Sequence, residues 1–213
     1  MIYLLDERIA FPNPRNGESN GLLAVGGDLS VERLILAYGH GIFPWYDFRE
    51  GTIAWWCPMR RFVIFPDEIH ISHSMRSLLR KGTMTVSFNK AFHQVIAQCS
   101  QLRINETGAW LGEDMIEAYT RLHALGLAKS VEVWQDGELV GGLYGVLSGR
   151  CFCGESMFSL VPSASKVALI ALARHLPKTG RELIDCQLRT PHLASMGGRY
   201  ISYDEYMSHL RFS

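Results

Sequence analysis

The chain has 213 residues, of which 47% are hydrophobic and 20% charged, and its 21 basic and 21 acidic side chains cancel. That is enough for one large domain or two small ones with a real core, and the balance excludes a disordered chain. No apolar run approaches the roughly 18 residues that span a bilayer, so no membrane partner is expected.

The opening MIYLLDER is short and acidic, unlike a secretory leader. Five cysteines are an odd number, and no CxxC is present. This usage predicts reduced thiols and a cytoplasmic location. Charge is unevenly spread. Residues 1–59 carry four basic and seven acidic groups, whereas residues 60–103 carry seven basic and two acidic. The middle third is a basic island, either a solvated face or a surface for an anionic partner.

In chain order, residues 12–30 are rich in Pro, Gly and Asn and read as loop. Ser30 is placed to cap a helix over 31–38, with Leu34, Ile35 and Tyr38 on one face and Gly39 ending it. GIFPWYDFREGTIAWWCP (41–58) has three tryptophans, two prolines and no clean period, so it reads as irregular. A domain boundary near residue 60 follows, dividing an N-terminal domain (1–60) from a second domain (61–213).

FVIF (62–65) reads as a strand. Ser72 opens a short helix closed by Gly82, and TMTVSF (83–88) alternates like a strand. Asn89 is placed to cap a helix carrying Phe92, Val95, Ile96 and Cys99. Met115, Ile116, Tyr119 and Leu122 form a second helical stripe, ended by Gly126. KSVEVWQ and ELVGGLYGVL flank Asp136-Gly137, the pair favoured in a type I′ hairpin turn. RCFCGESMF is the next strand, a helix spans about 163–176, and ELIDCQ is a further strand. The order of these later elements predicts an α+β, or mixed α/β, domain with one sheet.

The sequence lacks HExxH, Walker, GxSxG and GxGxxG motifs. GGxxG at 141–145 falls inside a predicted strand and marks a bulge or a close backbone approach. SASK (163–166) matches SxxK without its partner motifs, so Ser163 reads as a helix cap. His70 and His73 lack a third ligand, so no metal is expected. Asp185, Gln187 and Glu155 interrupt otherwise apolar strands, where unpaired carboxylates are costly. On one strand, Asp185 and Gln187 share a face. The three side chains either converge on a site, form a buried ion pair or face solvent at an edge. Trp45 and Trp110 sit in Gly/Pro-flanked stretches, as core residues or as platforms for unpaired bases. Arg76, Arg80 and Lys81 share a short helix and suit phosphate contacts.

GGDLS…GIFPW (26–45), WWCP (55–58), SVEVW…GELVGGLYGV (130–146), FCGESMFS (152–159), SASK and LIDCQ…HLASMGG (183–198) together resemble the leucyl/phenylalanyl-tRNA–protein transferase family over nearly the whole chain. The resemblance implies a small N-terminal domain followed by a domain of the N-acetyltransferase-like (GNAT-like) fold. It implies transfer of Leu or Phe, with Met as a further substrate, from aminoacyl-tRNA to the N-terminal Arg or Lys of acceptor proteins. That transfer marks the acceptor for degradation by the N-degron route. By motif, Asp185, Gln187 and Glu155 take the catalytic positions. Trp45 and Trp110 stack the terminal adenosine, and Leu143, Phe152, Met157 and Leu169 line the aminoacyl pocket. The tail after Gly198 departs from the family's usual pattern.

Amine attack on an ester needs neither a side-chain nucleophile nor a metal or other cofactor, and the enzyme is expected to act as a monomer. An ordinary aspartate is about four pKa units too acidic to deprotonate an ammonium. Asp185 is therefore expected to polarise Gln187 or to stabilise developing positive charge, and Glu155 to place the aminoacyl end or a cationic acceptor. Two alternatives remain: an acyl-CoA-dependent N-acyltransferase of the same fold, and a non-catalytic RNA-binding module. Against the first, no glycine-rich loop opens the helix after residue 158. Against the second, the polar cluster would have no role.

Overall fold

The computed structural model describes residues 2–47, 51–103 and 112–211. In chain order it contains β1 (Tyr3–Leu5), β2 (Leu22–Gly26), α1 (Val31–Gly39), β3 (Phe43–Asp47), β4 (Thr52–Trp56), β5 (Arg60–Ile64), α2 (His73–Lys81), β6 (Thr85–Phe88), α3 (Phe92–Arg103) and α4 (Glu113–Ala124). There follow β7 (Ala128–Gln135), β8 (Glu138–Ser148), β9 (Cys151–Ser159), α5 (Ala164–His175), β10 (Leu183–Asp185), α6 (Pro191–Ser195), β11 (Arg199–Ser202) and α7 (Tyr203–Leu210). The fold is mixed α+β: β5 to β11 form one sheet, as their order predicted, and β1 to β4 form a second, N-terminal sheet.

The N-terminal sheet has the order β1-β2-β4-β3. Two of its strands overturn the reading of 41–58 as irregular: β3 and β4 pair antiparallel, Phe43 opposite Trp56 and Trp45 opposite Ala54. Pro44 is tolerated because β3 is an edge strand, where no ladder bond is missed. β2 likewise lies within the stretch read as loop, where Gly21 and Gly26 flank an apolar core of four residues.

The second sheet has the order β11-β5-β10-β9-β8-β7-β6. Its β7–β8 turn matches the sequence: Asp136 and Gly137 have φ of 53° and 85°, as a type I′ turn requires. In β8, a Cβ on Gly141 would lie 2.4 Å from the Ala164 side chain, and one on Gly145 would lie 2.2 Å from the Cys153 carbonyl. The GGxxG run thus lets α5 and β9 approach the strand closely. β9 and β10 are parallel, joined by the crossover through α5, while the other pairs of this sheet are antiparallel.

One face of this sheet packs on α2, α5 and α6 through Met75, Val167, Ile170 and Leu193. The other packs on α1, α3, α4, α7 and the N-terminal sheet through Leu34, Val95, Tyr119, Tyr206 and Trp55. Ser30 caps α1 as expected, accepting from Arg33 N–H. On that helix Ile35 is exposed, and Arg33 is the buried residue instead, donating to the Asp6 carbonyl and paired with Asp28. Ser72 caps α2, and Gly82 ends it in the left-handed conformation.

Two expected caps are replaced. The Asn89 side chain accepts from Ser130 N–H, and the N–H groups of Lys90 and Ala91 at the start of α3 face the buried Glu132 carboxylate. The Ser163 hydroxyl makes no cap bond; Ser159 Oγ accepts from Ser165 N–H at 2.7 Å in its place. Among the described residues, no helix is long and apolar enough to cross a membrane.

Candidate active site

The strand carrying LIDC ends at Asp185, so Asp185 and Gln187 do not share a strand face as the sequence suggested. Gln187 instead turns the chain with φ of +60°, a conformation that costs a non-glycine residue about 1–2 kcal/mol. Asp185 holds this turn: its Oδ1 accepts Gln187 N–H at 2.8 Å. Its Oδ2 accepts the Tyr206 hydroxyl at 2.8 Å and lies 3.1 Å from Arg61 Nε. Asp185 is 1% exposed and Arg61 2%. The aspartate therefore belongs to a buried ion pair and braces the backbone of the turn, at a place where its residue also borders the cavity described below.

Arg61 spans two parts of the molecule. It comes from β5, next to β10, yet its guanidinium donates to the Gly41 carbonyl and lies over the rings of Phe43 and Tyr206. Gly41 and Phe43 lead directly into Pro44 and Trp45. The basic island of the sequence thus contains one internal charge. Arg76, Arg80 and Lys81 are exposed on α2, although Arg76 Nε is held by the Ile71 carbonyl.

Glu155 owes its position to a bulge. Opposite β8, Tyr144 pairs with Ser156 and Gly145 with Gly154, so Glu155 is the extra residue. Phe152 and Met157 consequently both pack on the α5 side despite their odd separation, and Glu155 turns towards α1 and α4. Its carboxylate accepts Tyr38 OH at 2.7 Å, Tyr119 OH at 2.9 Å and Gln187 Nε2 at 3.1 Å.

Burial pushes the Glu155 carboxyl up to about 7, opposed by the two tyrosine hydrogen bonds. Burial likewise raises both tyrosines well above their ordinary value, which keeps them as donors. The sequence offered little signal for this pair, because Tyr38 and Tyr119 lie on the apolar stripes of their helices and read as core.

Beyond Asp185 the chain leaves the sheet, and β9 loses its β10 partner. A cavity of about 430 Å³ opens there. Leu143, Phe152, Met157 and Leu169 line it together, joined by Leu172, Ile184 and Leu193. Glu155 and Gln187 stand on its wall with Trp45 and Pro44. The sequence-derived aminoacyl pocket and polar group therefore meet at one place. Trp45 lies on β3, not in a loop. Trp110 lies outside the described residues.

The split sheet thus opens onto an apolar cavity with a carboxylate and an amide at its wall, an arrangement that suits an enzyme holding an apolar group beside polar side chains. The family model for leucyl/phenylalanyl-tRNA protein transferase matches residues 63–211, and the model of its N-terminal domain matches residues 27–59. The leucyl/phenylalanyl-tRNA–protein transferase of Flavobacterium johnsoniae is 52% identical over 212 residues, covering 99% of each chain. That of Flavobacterium psychrophilum is 49% identical over 99% of this chain and 100% of its own, and that of Syntrophobacter fumaroxidans is 51% identical over 97% and 88%. The chain belongs to the leucyl/phenylalanyl-tRNA–protein transferase family.

Removing one partner of a buried ion pair leaves the other uncompensated. Asp185→Asn should therefore destabilise the fold by about 3–5 kcal/mol. A lowered denaturant midpoint at unchanged slope is the expected readout. A midpoint within error of the parent would mean that Arg61 does not depend on Asp185.

Proposed function

We propose that the chain transfers a leucyl or phenylalanyl group, with methionyl as a further donor, from aminoacyl-tRNA to the N-terminal Arg or Lys of an acceptor protein. This transfer marks the acceptor for degradation by the N-degron route. One observation carries the reading: the apolar cavity and the Glu155–Gln187 pair share a wall with Trp45. Leu143, Phe152, Met157 and Leu169 receive the aminoacyl side chain. Its burial contributes about 1.5–3 kcal/mol, and β-branched side chains, stiff at χ1, fit less well. Trp45 stacks the terminal adenine, worth about 1–3 kcal/mol, and Trp110 is assigned to its other face. Residues 1–60 form the N-terminal domain and residues 61–213 a GNAT-like transfer domain, acting as a cytoplasmic monomer.

The acceptor amine attacks the ester carbonyl carbon, the tetrahedral species collapses, and the terminal ribose oxygen leaves with a proton. Holding amine and ester together supplies roughly 7–11 kcal/mol of the barrier. The Gln187 amide nitrogen is spent on Glu155, so its carbonyl oxygen is the acceptor that orients the attacking N–H. Glu155, raised to about 7, is matched to an α-amine of about 7.7–8.0 and takes its proton. Asp185 acts one step back: it fixes the turn that presents Gln187. This departs from the sequence reading, in which Asp185 polarised Gln187 or stabilised developing positive charge. Arg76, Arg80 and Lys81 grip phosphates of the tRNA.

The direct experiment mixes the protein, radiolabelled leucyl-tRNA and an Arg-initiated peptide. Label on the peptide is expected; retention of leucyl-tRNA without transfer would leave only an RNA-binding module.

The pH dependence isolates Glu155. Its two tyrosine bonds favour the carboxylate, so Tyr38→Phe should raise its pKa further. Activity needs the ionised form, and kcat/KM should fall as pH drops through about 7. In Tyr38→Phe that acid limb should move to higher pH, whereas an unmoved limb would assign it to the acceptor amine alone.

Neutralising Arg76, Arg80 and Lys81 together should weaken tRNA binding and flatten the slope of log K against log salt by about 2–3. An unchanged slope would remove α2 from the interface.

A further inference from the structure

Ser156 follows Glu155 on β9 and is 8% exposed. Ser156 is among the residues that line the cavity, and its hydroxyl, itself buried, has no hydrogen-bond partner among the described residues. A buried hydroxyl without a partner is costly, and native interiors rarely keep one that has no task. Its location narrows that task. The bulge places Ser156 opposite Tyr144, on the sheet face where Trp45 packs. The next residue, Met157, packs on the opposite face with Leu143 and Leu169. Ser156 therefore stands between the aromatic wall and the apolar pocket.

In an aminoacyl-adenosine, the group joining the base to the acyl side chain is the ribose ester. The Glu155 oxygens nearby are already engaged by Tyr38, Tyr119 and Gln187. The hydroxyl of Ser156 is the unengaged group on this stretch, able to donate and accept at once. A ribose 2′-hydroxyl has the same dual capacity. We propose that Ser156 hydrogen-bonds the 2′-hydroxyl of the terminal adenosine and so selects a ribonucleotide ester as donor. The inference rests on the transferase reading above.

The test is a double-mutant cycle on single-turnover transfer of leucine to an Arg-initiated peptide. The parent protein and Ser156→Ala are each given leucyl-tRNA ending in adenosine or in 2′-deoxyadenosine. The parent should lose about tenfold on the deoxy substrate, and Ser156→Ala about tenfold on the ribo substrate. Because one bond is removed twice, Ser156→Ala should lose little more on the deoxy substrate.

Losses that multiply to about a hundredfold would overturn the proposal, as would a parent indifferent to the sugar or a variant as active as the parent. The melting temperature separates a structural role: deleting an unpartnered hydroxyl should leave it unchanged or raised, and a fall would count against the assignment. Ser156→Cys, close to serine in shape and a weaker donor, should be intermediate, and full activity in it would also overturn the proposal. If the parent transfers no leucine from either tRNA, the transferase reading fails instead.

Discussion

The arrangement of the site depends on how one carboxylate is kept in the interior. Asp185 sits at the end of a central strand with almost no access to water, which an unpaired charge does not survive. Arg61 answers it from the neighbouring strand, and Tyr206 and the Gln187 N–H take up the remaining acceptor capacity. The planar guanidinium suits this position because its other donors and its faces remain available. It uses them on Gly41, Phe43 and Tyr206. One ion pair thereby joins the turn that presents Gln187 to the segment that presents Trp45.

The two carboxylates of the site differ through their neighbours. Asp185 is neutralised by a guanidinium and spends its oxygens on structure. Glu155 has only neutral donors in direct contact, and burial carries it to about 7. Environments that separate two acids are a recurrent way of dividing positioning from proton transfer, and the proposed mechanism uses the difference in that way. The bulge at Glu155 makes the division possible, since one added residue turns a carboxylate towards two tyrosines while Phe152 and Met157 stay in the same pocket. The split between β9 and β10 then leaves space at the point where these groups meet.

Much of the architecture was legible where period and turn chemistry agree. The β7–β8 hairpin, the Ser30 and Ser72 caps and the stripes of α3 and α4 follow from local pattern. β2, β3 and β4 escaped because glycine, proline and tryptophan obscure alternation, and because an edge strand tolerates the proline that argues against a central one. Asn89 and Ser163 had the right residue type for caps, but a buried glutamate and a serine from the preceding strand reached the helix ends instead. α6, β11 and α7 had no strong local signature, yet α7 supplies Tyr206.

The sequence by itself determined the candidate pocket residues, the conspicuous polar trio and the family to which they point, since these reside in residue identity and order. Tertiary structure decided their surroundings. Asp185 and Glu155 look alike in a sequence, and only the charge, hydroxyls and burial gathered from distant segments separate them. Tyr38, Arg61, Tyr119 and Tyr206 likewise gain their meaning from contacts across 21 to 124 residues of chain. Electrostatic environment is set by proximity in space, and local periodicity carries no information about which distant group will supply it.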